Sequence, residues 1–159
     1  MTGAALDIND RPFALPAVRT VVVEMPGEPR GKGRARFSRA SGVAYTPAAT
    51  RNFEGSLKYM AQLAMKGAPP IEGPLKVEVL AAFSIPQSWS NKKKAAAMAG
   101  LIRPTGKPDA DNVLKSAGDA LNQVVWRDDA QIVIATIAKR YSDRPRLWIT
   151  VEPLIGEGA

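Results

Sequence analysis

The chain has 159 residues, a net charge of +7, and neither cysteine nor histidine. The missing residue types exclude disulfides, thiol catalysis, zinc fingers and every catalytic triad that needs an imidazole. Any bound metal must therefore be held by oxygen atoms, which suits Mg²⁺ or Mn²⁺. The excess of positive charge favours a polyanionic partner, most often nucleic acid, and a basic protein without such a partner is the alternative.

The composition fits one globular domain. With 45% hydrophobic residues, a chain of this length can bury a substantial core. No apolar run approaches the roughly 18–20 residues that span a bilayer, and a first segment with Asp7 and Asp10 does not resemble a signal peptide. We therefore expect a cytoplasmic protein without a membrane partner. Residues 1–17 are predicted to form a flexible arm, and residues 18–155 a single domain.

The first half of the chain predicts a strand, a basic connecting segment and a helix. Residues 18–25 are short and rich in β-branched side chains, which favours a strand. Residues 26–46 are interrupted by Gly and Pro. Thr46 and Pro47 predict the N-cap and first turn of a helix that runs to about Lys66. Its buried stripe is predicted to consist of Phe53, Leu57, Met60, Ala61 and Ala64.

The second half adds further strands and two helices. A short helix is predicted from a cap at Ser90 to Met98, and a longer helix from just after Asp111 to about Gln123. The last two strands are expected to pair as a closing hairpin, and the order of elements is an α+β pattern. The predicted strands cover residues 74–84, 131–140 and 145–152.

The sharpest local pattern is an acidic run before the longer helix, Asp109-Ala110-Asp111-Asn112, followed by Lys115. In an extended segment, Asp109 and Asp111 would point to the same side, close enough to share a divalent cation. Alternatively, Asp111 or Asn112 caps the helix, and Lys115 is a solvated partner one turn beyond Asp111. This pattern alone leaves both interpretations open.

A second acidic pattern follows that helix, in the segment Trp126-Arg127-Asp128-Asp129-Ala130-Gln131. By itself it is typical of a turn before a strand, with Trp126 in the core. A helix of about twelve residues is roughly 18 Å long, and the segment after it, if extended, could return Asp129 nearly that far towards Asp109. The two acidic patterns therefore meet either within one chain or between the chains of a dimer.

Basic residues are concentrated where acids are missing. The chain has no acid from Pro29 to Ala49, and a lysine run lies in the short predicted helix. Phe37 either stacks on opened bases or anchors its loop in the core. The lysine run either forms a solvated helix face or contacts DNA. The side chains expected to contact phosphates are Arg30, Lys32, Arg34, Arg36, Arg39, Lys92, Lys93, Lys94, Arg103 and Lys107.

Taken together, these residues resemble the RusA family of Holliday junction resolvases, especially its longer, often phage-borne members. The family pattern is Asp-x-Asp-Asn-x-x-Lys, an Asp-Ala-Leu on the same helix, and Trp-x-Asp-Asp-x-Gln. The chain matches it with residues 109–112, Lys115, residues 119–121 and residues 126–131. Upstream, Gly31-Lys32-Gly33-Arg34-Ala35-Arg36 is similar to the family's Gly-Lys-Pro-Arg-Pro-Arg segment, with Gly33 and Ala35 where prolines are common. The likeness covers roughly residues 20–150.

The resemblance implies a small mixed β-sheet with helices packed on it, in an intertwined homodimer. It also implies a Mg²⁺- or Mn²⁺-dependent endodeoxyribonuclease of DNA recombination and repair, in a bacterial or phage-infected cell, that cuts four-way junctions by paired, symmetric nicks. By motif matching, the metal-binding carboxylates are Asp109, Asp111 and Asp129. Lys115 becomes the catalytic or phosphate-contacting lysine. Supporting roles fall to Asn112, Asp128 and Asp119, with Asp119 expected to orient Lys115.

Two other functions fit the same residues. One is a non-catalytic, architectural DNA-binding protein, in which the aspartates only cap a helix and form turns. The other is a nuclease for a different branched substrate, such as flaps. For a nuclease without histidine, a water activated by the metal is the leading nucleophile, and Lys115 is the cation available for the developing negative charge.

Overall fold

The computed structural model describes residues 19–154, so the predicted arm over residues 1–17 lies outside the described residues. Among residues 19–154, no helix is long and apolar enough to cross a membrane. The elements are β1 (Val21–Pro26), β2 (Arg36–Phe37), β3 (Ala44–Tyr45), α1 (Ala48–Met65), β4 (Leu75–Ser84), α2 (Asn91–Met98), α3 (Ala110–Leu121), a one-turn 3₁₀ helix (Asp129–Gln131), β5 (Ile132–Ser142) and β6 (Arg146–Pro153).

Four strands form one mixed sheet in the order β1-β6-β4-β5. β4 runs parallel to β5 and antiparallel to β6, and β6 runs antiparallel to β1. The predicted closing hairpin of the last two strands is wrong, because β4 lies between them: Val79 pairs with Ile137 on one side and with Ile149 on the other. β4 takes the centre because it is the longest largely buried strand, and a buried strand needs hydrogen-bonding partners on both edges.

The hydrophobic core lies between one face of this sheet and the helices α1 and α3. Alternate residues of the strands are buried on that face, such as Val77 in β4 and Ile149 in β6. Leu57 of α1 and Leu121 of α3 are fully buried against them. Complete burial of each such side chain contributes about 1.5–3 kcal/mol. The expected α+β fold, a small mixed sheet with helices packed on it, is confirmed.

α1 follows its predicted pattern closely and differs at its first residue. Pro47, not Thr46, holds the N-cap position, and no side chain caps the helix. The helix ends at Lys66, which has the left-handed backbone (φ 52) that closes many helices. Of the predicted stripe, Met60 and Ala64 are partly buried, and Phe53, Leu57 and Ala61 are fully buried. The structure adds Thr50 and Met65 to the buried face.

α2 has the predicted bounds because its two ends carry the expected signals. The hydroxyl of Ser90 accepts a hydrogen bond from the backbone N–H of Lys93 (3.3 Å), which satisfies a free donor of the first turn. Gly100 adopts φ +77 just after the helix, a conformation that favours glycine. The helix lies against β5, where the Trp89 ring meets the Tyr141 ring edge-on with centroids 5.2 Å apart.

Candidate active site

Asp109 occupies the N-cap position of α3, so the helix starts at Ala110, two residues earlier than the sequence predicts. Its side chain makes no capping hydrogen bond and is exposed. Asp111 and Asn112 lie inside the first turn, so the prediction that either of them caps the helix is wrong. The extended geometry expected for this pair is also wrong, because the helix already includes Asp111. The Asp109 carboxylate therefore lies at the N-terminus of α3 without making a capping hydrogen bond. The helix dipole favours negative charge at this position.

Asp111 and Lys115 form the expected ion pair one helical turn apart. Their charged atoms are 3.5 Å apart, with the side chains 69% and 63% exposed. A solvated pair of this kind contributes only about 0.2–0.5 kcal/mol to helix stability. Both side chains can therefore exchange this contact for a ligand at little cost to the fold.

The second acidic pattern forms a tightly bonded turn. Asp128 accepts a hydrogen bond from the N–H of Ala130 (2.8 Å), and the Gln131 amide oxygen accepts from the N–H of Arg127 (2.8 Å) and of Asp128 (3.0 Å). This reciprocal capping box closes the one-turn 3₁₀ helix. The Gln131 amide nitrogen donates to the carbonyls of Ile71 and Gly73, both at 2.9 Å. The turn is thereby attached to the segment that leads into β4.

Asp129 projects from this turn onto the surface of α3. Trp126 is in the core, as the sequence predicts, with 1% of its surface exposed. Its indole N–H donates to Asp129 Oδ1 at 2.7 Å. The other carboxylate oxygen lies 3.7 Å from where a Cβ on Gly118 would be. The buried Trp126 indole thus holds the carboxylate beside α3, at a position where the missing side chain of Gly118 leaves room for it.

Asp109 and Asp111 both lie at the start of α3, two positions apart, whereas Asp129 lies beside Gly118 of the same helix. Gly118 is seven residues beyond Asp111, which is about 10 Å along the axis. Within residues 19–154, no group of three or more acidic side chains is close enough to hold one metal ion. A single metal site with all three aspartates therefore stays a prediction, and this chain alone does not assemble it.

The basic segment after β1 packs directly against the start of α3. The backbone N–H of Lys32 donates to the carbonyl of Asn112 at 3.1 Å. A Cβ on Gly31 would lie 2.8 Å from Cβ of Pro108, and one on Gly33 would overlap the hydroxyl of Thr50. Both positions require glycine because the backbone approaches its neighbours so closely, which explains Gly33 where similar segments carry proline.

A cleft of about 530 Å³ results from this contact. It joins two kinds of residue that the sequence predicts separately, phosphate-binding cations and a metal-binding carboxylate. The cleft is lined by Gly31, Lys32, Arg34, Lys107, Pro108, Asp109 and Asn112. Residues 70 or more positions apart in the chain thus meet at the N-terminus of α3.

Comparison with known proteins identifies the group to which this fold and cleft belong. Residues 26–152 match the family model described as endodeoxyribonuclease RusA. The chain belongs to the RusA family. It is also 39% identical over 131 residues to a protein of Bacillus subtilis (strain 168) described as uncharacterized protein YqaN, across 79% of this chain and 90% of that protein. The resemblance inferred from the two acidic motifs is confirmed, and both motifs lie within the matched range.

In this RusA-family chain, Asp119 does not orient Lys115 as predicted. Its carboxylate forms an ion pair with Lys32, 87 positions earlier, whereas Lys115 pairs with Asp111. The hydrogen bond to Asp119 raises the pKa of Lys32, against the opposing effect of partial burial, and the charges of Asp119 and Glu54 add to the rise. Lys32 is therefore already paired within the protein, and it fastens the basic segment to α3.

Sequence reasoning missed two residues of this region. Burial raises the pKa of Glu54, with Lys32 opposing the rise and Asp119 adding to it, so Glu54 lies close to that ion pair. Its signal in the sequence is an acid inside the helical stripe, next to Phe53. The second is Lys139 of β5, whose ammonium donates to the carbonyl of Gly106 at 2.7 Å. It holds the loop before Asp109 in place, and no local pattern marks it.

The other predicted phosphate contacts of this RusA-family protein divide into free and engaged side chains. Lys93 places its ammonium 3.9 Å from the centroid of the Trp89 ring, a cation–π contact that anchors α2. Lys94 is half-buried. The remaining members are all exposed: Arg30, Arg34, Arg36, Arg39, Lys92, Arg103 and Lys107.

Proposed function

We propose that this RusA-family protein is a Mg²⁺- or Mn²⁺-dependent endonuclease that cuts four-way DNA junctions by paired, symmetric nicks. The cleft at the start of α3 is the observation that carries this proposal. Asp109 lies there with Arg34 and Lys107, so a carboxylate for a metal and cations for phosphate oxygens line one space. A phosphodiester in that cleft meets both kinds of group that its hydrolysis requires.

The residues at the start of α3 suit a magnesium ion. Mg²⁺ in proteins is usually bound through one or two carboxylates and keeps several waters, and Asp109 with Asp111 supplies that number of carboxylates. Both side chains are exposed, and Asp109 is not used for capping. When bound, such an ion supplies Lewis-acid chemistry to the phosphodiester. Asp109 and Asp111 would hold the ion at the start of α3.

Lys115 and Asp129 extend the site along α3. The Lys115 ammonium lies one turn from Asp111 and is 63% exposed, which lets it approach a phosphate and stabilise negative charge that develops there. Asp129 lies beside Gly118, about 10 Å along the helix axis from Asp111. Because hydrogen bonds hold its turn in place, we propose that Asp129 contributes to the site of a second copy of the chain.

A homodimer is part of this proposal. Two coordinated nicks on opposite strands of a junction need two sites related by a twofold axis, which a symmetric pair of chains supplies. Sedimentation of the protein with and without junction DNA tests it. A mass of two chains supports the dimer, and a single chain that still makes paired nicks contradicts it.

The decisive test is cutting of a synthetic four-way junction and a matched linear duplex, each with Mg²⁺, with Mn²⁺ and with EDTA. We expect paired nicks near the crossover, none on the duplex, and none in EDTA. Asp111→Asn should abolish cutting and keep junction binding. The matched control is Asp143→Asn, an exposed acid in the β5–β6 connection, which should cut normally.

Other outcomes would change the proposal. Tight junction binding without cutting under any metal indicates the architectural DNA-binding protein. Faster cutting of flaps than of junctions keeps the nuclease and replaces its substrate. Normal cutting by Asp111→Asn removes that residue from the metal site.

A further inference from the structure

The two short strands β2 and β3 form a hairpin, and no part of residues 19–154 covers either of its faces. Arg36 pairs with Tyr45 and Phe37 pairs with Ala44, and all four residues are exposed. The turn between the strands is closed by Ser38, whose N–H donates to the carbonyl of Val43 at 3.0 Å. A two-stranded hairpin without a covering layer is only marginally stable, so contact with a bound partner would stabilise it.

The hairpin exposes large apolar side chains on both of its faces. Phe37 is 66% exposed, Val43 is 60% exposed and Tyr45 is 45% exposed. Cross-strand partners share a face, so Phe37 lies opposite the small Ala44 and stands clear of bulky neighbours. The prediction that Phe37 anchors its loop in the core is therefore wrong. Its ring is free to contact a partner.

The charge around the hairpin indicates what that partner is. The segment from Pro29 to Ala49 carries Arg34, Arg36 and Arg39 among its cations and contains no acid. An exposed aromatic ring among arginines is the combination that binds nucleic acid, since the arginines hold phosphates and every base offers a flat face for stacking. A DNA strand therefore fits this surface.

The hairpin also lies close to the cleft that contains Asp109. Arg34 lines that cleft, and Phe37 follows it by three residues. Three residues of extended chain span at most about 11 Å, which equals roughly three nucleotide steps along one DNA strand. A base that contacts Phe37 is thus within a few nucleotides of the phosphate in the cleft.

We propose that the β2–β3 hairpin recognises the branch point of its DNA substrate, with Phe37 stacking on a base that is unpaired or unstacked there. The proposal rests on the proposed function, because it requires a branched substrate. In a continuous duplex, opening a base step costs a few kcal/mol and offsets the gain from stacking. At a branch point the stack is already interrupted, so the same contact favours junctions over duplex.

The test measures DNA binding in EDTA, where no cutting occurs. Phe37→Ala should bind a four-way junction about 5- to 150-fold more weakly, the equivalent of a stacking contribution of about 1–3 kcal/mol, and should bind linear duplex as before. Phe37→Trp keeps an aromatic ring and should bind the junction about as tightly as the unaltered protein. Tyr59→Ala is the matched control, because Tyr59 is an aromatic residue of similar exposure (59%) on α1, and it should bind both DNAs normally.

A second measurement locates the contact. A junction with 2-aminopurine at the branch point should change its fluorescence on binding the unaltered protein and the Tyr59→Ala variant, but not on binding Phe37→Ala. Equal losses on junction and duplex, or no loss at all, would overturn the role of Phe37. A change in oligomeric state of Phe37→Ala in sedimentation would also overturn it and assign the hairpin to a subunit interface.

The outcome also separates this proposal from the proposed function. If the unaltered protein cuts and prefers junctions while Phe37→Ala binds them equally well, only the role of the hairpin is wrong. If the unaltered protein neither cuts junctions nor binds them more tightly than duplex, both proposals are overturned.

Discussion

The turn that carries Asp129 is fixed by hydrogen bonds on several sides, whereas the start of α3, with Asp109 and Asp111, is open. Gln131 and Trp126 bind the turn to the β4 approach and to the core. The two aspartates of the helix are exposed, and Asp109 is not engaged in capping. One carboxylate is thus placed before any ligand arrives, and the others are placed only by the helix backbone. A fixed ligand loses little entropy on binding, which favours its contribution to affinity.

The largest expected effect is the loss of cutting when an aspartate is replaced in either region. A measurement of protein stability should then distinguish the two regions. Asp109→Asn and Asp129→Asn should each reduce junction cutting by about 10³-fold or more, because each removes a carboxylate from the proposed site. Only Asp129→Asn should also lower the free energy of unfolding, by about 1 kcal/mol, since it weakens the charge-assisted hydrogen bond from Trp126. Cutting assays and urea unfolding measure both. Equal stability losses in the two variants would contradict the difference between the regions.

Trp126→Phe tests whether the fixed carboxylate needs its indole partner. The ring keeps much of its packing, and the hydrogen bond to Asp129 at 2.7 Å is lost. We expect a 10- to 100-fold higher Mn²⁺ concentration for half-maximal cutting, a size typical for partners that orient metal ligands. The control is Trp148→Phe on the opposite face of the sheet, where the ring lies 4.8 Å from the Arg146 guanidinium carbon. An unchanged Mn²⁺ dependence for Trp126→Phe would show that the turn holds Asp129 without it.

The start of α3 depends instead on close contact with the backbone of the basic segment around Gly31. Gly31→Ala should destabilise the protein by about 1–3 kcal/mol, because the added Cβ would lie 2.8 Å from Pro108. Gly55→Ala in α1 is the opposite case. No atom of residues 19–154 lies within 4 Å of the added Cβ, and the better helix propensity should stabilise the protein by about 0.5–1 kcal/mol. Thermal unfolding of both variants gives the two signs. A Gly31→Ala protein as stable as the parent would mean that the segment can move away from α3 at no cost.

The smallest effect concerns pH and Glu54. Burial raises the pKa of Glu54 above its ordinary value of 4.5, against the effect of Lys32. An acid with a higher pKa in the folded than in the unfolded protein costs stability as the pH rises above 4.5, and costs nothing once both forms are protonated. Glu54→Gln should therefore raise the melting temperature at pH 7 but not at pH 4. Equal shifts at both pH values would contradict this account.

The sequence predicts local structure here better than it predicts contacts. The segments that form α1 and α2 contain their own hydrophobic periodicity and end signals, so the bounds of both helices could be predicted from the sequence. The pairing of β5 and β6 was not, because β4, about 50 residues earlier in the chain, enters between them. Asp119 and Lys32 are 87 positions apart, and local spacing suggested Lys115 instead. The hairpin of β2 and β3 has strands of two residues, too short for an alternating pattern.

The candidate site was likewise predicted only in part. The motifs identified the family, and they selected Asp109, Asp111 and Asp129 as metal ligands, which remains a prediction. They did not indicate that Gln131 secures the turn or that Gly31 and Gly33 allow the basic segment to reach α3. Those roles depend on contacts with distant segments of the chain, so only the three-dimensional structure reveals them.

The strand order has a consequence for how this protein is made. β1 joins the sheet through β6, pairing Val21 with Val151, so the first described strand needs the last one. During synthesis the ribosome must therefore release all residues up to the end of β6 before the sheet can close. Contacts between such distant residues slow folding, and the unpaired edges of β1 and β4 stay available to other chains in the meantime. A stop codon before β6 would leave both strands without that partner and would yield an aggregating product instead of a shortened nuclease.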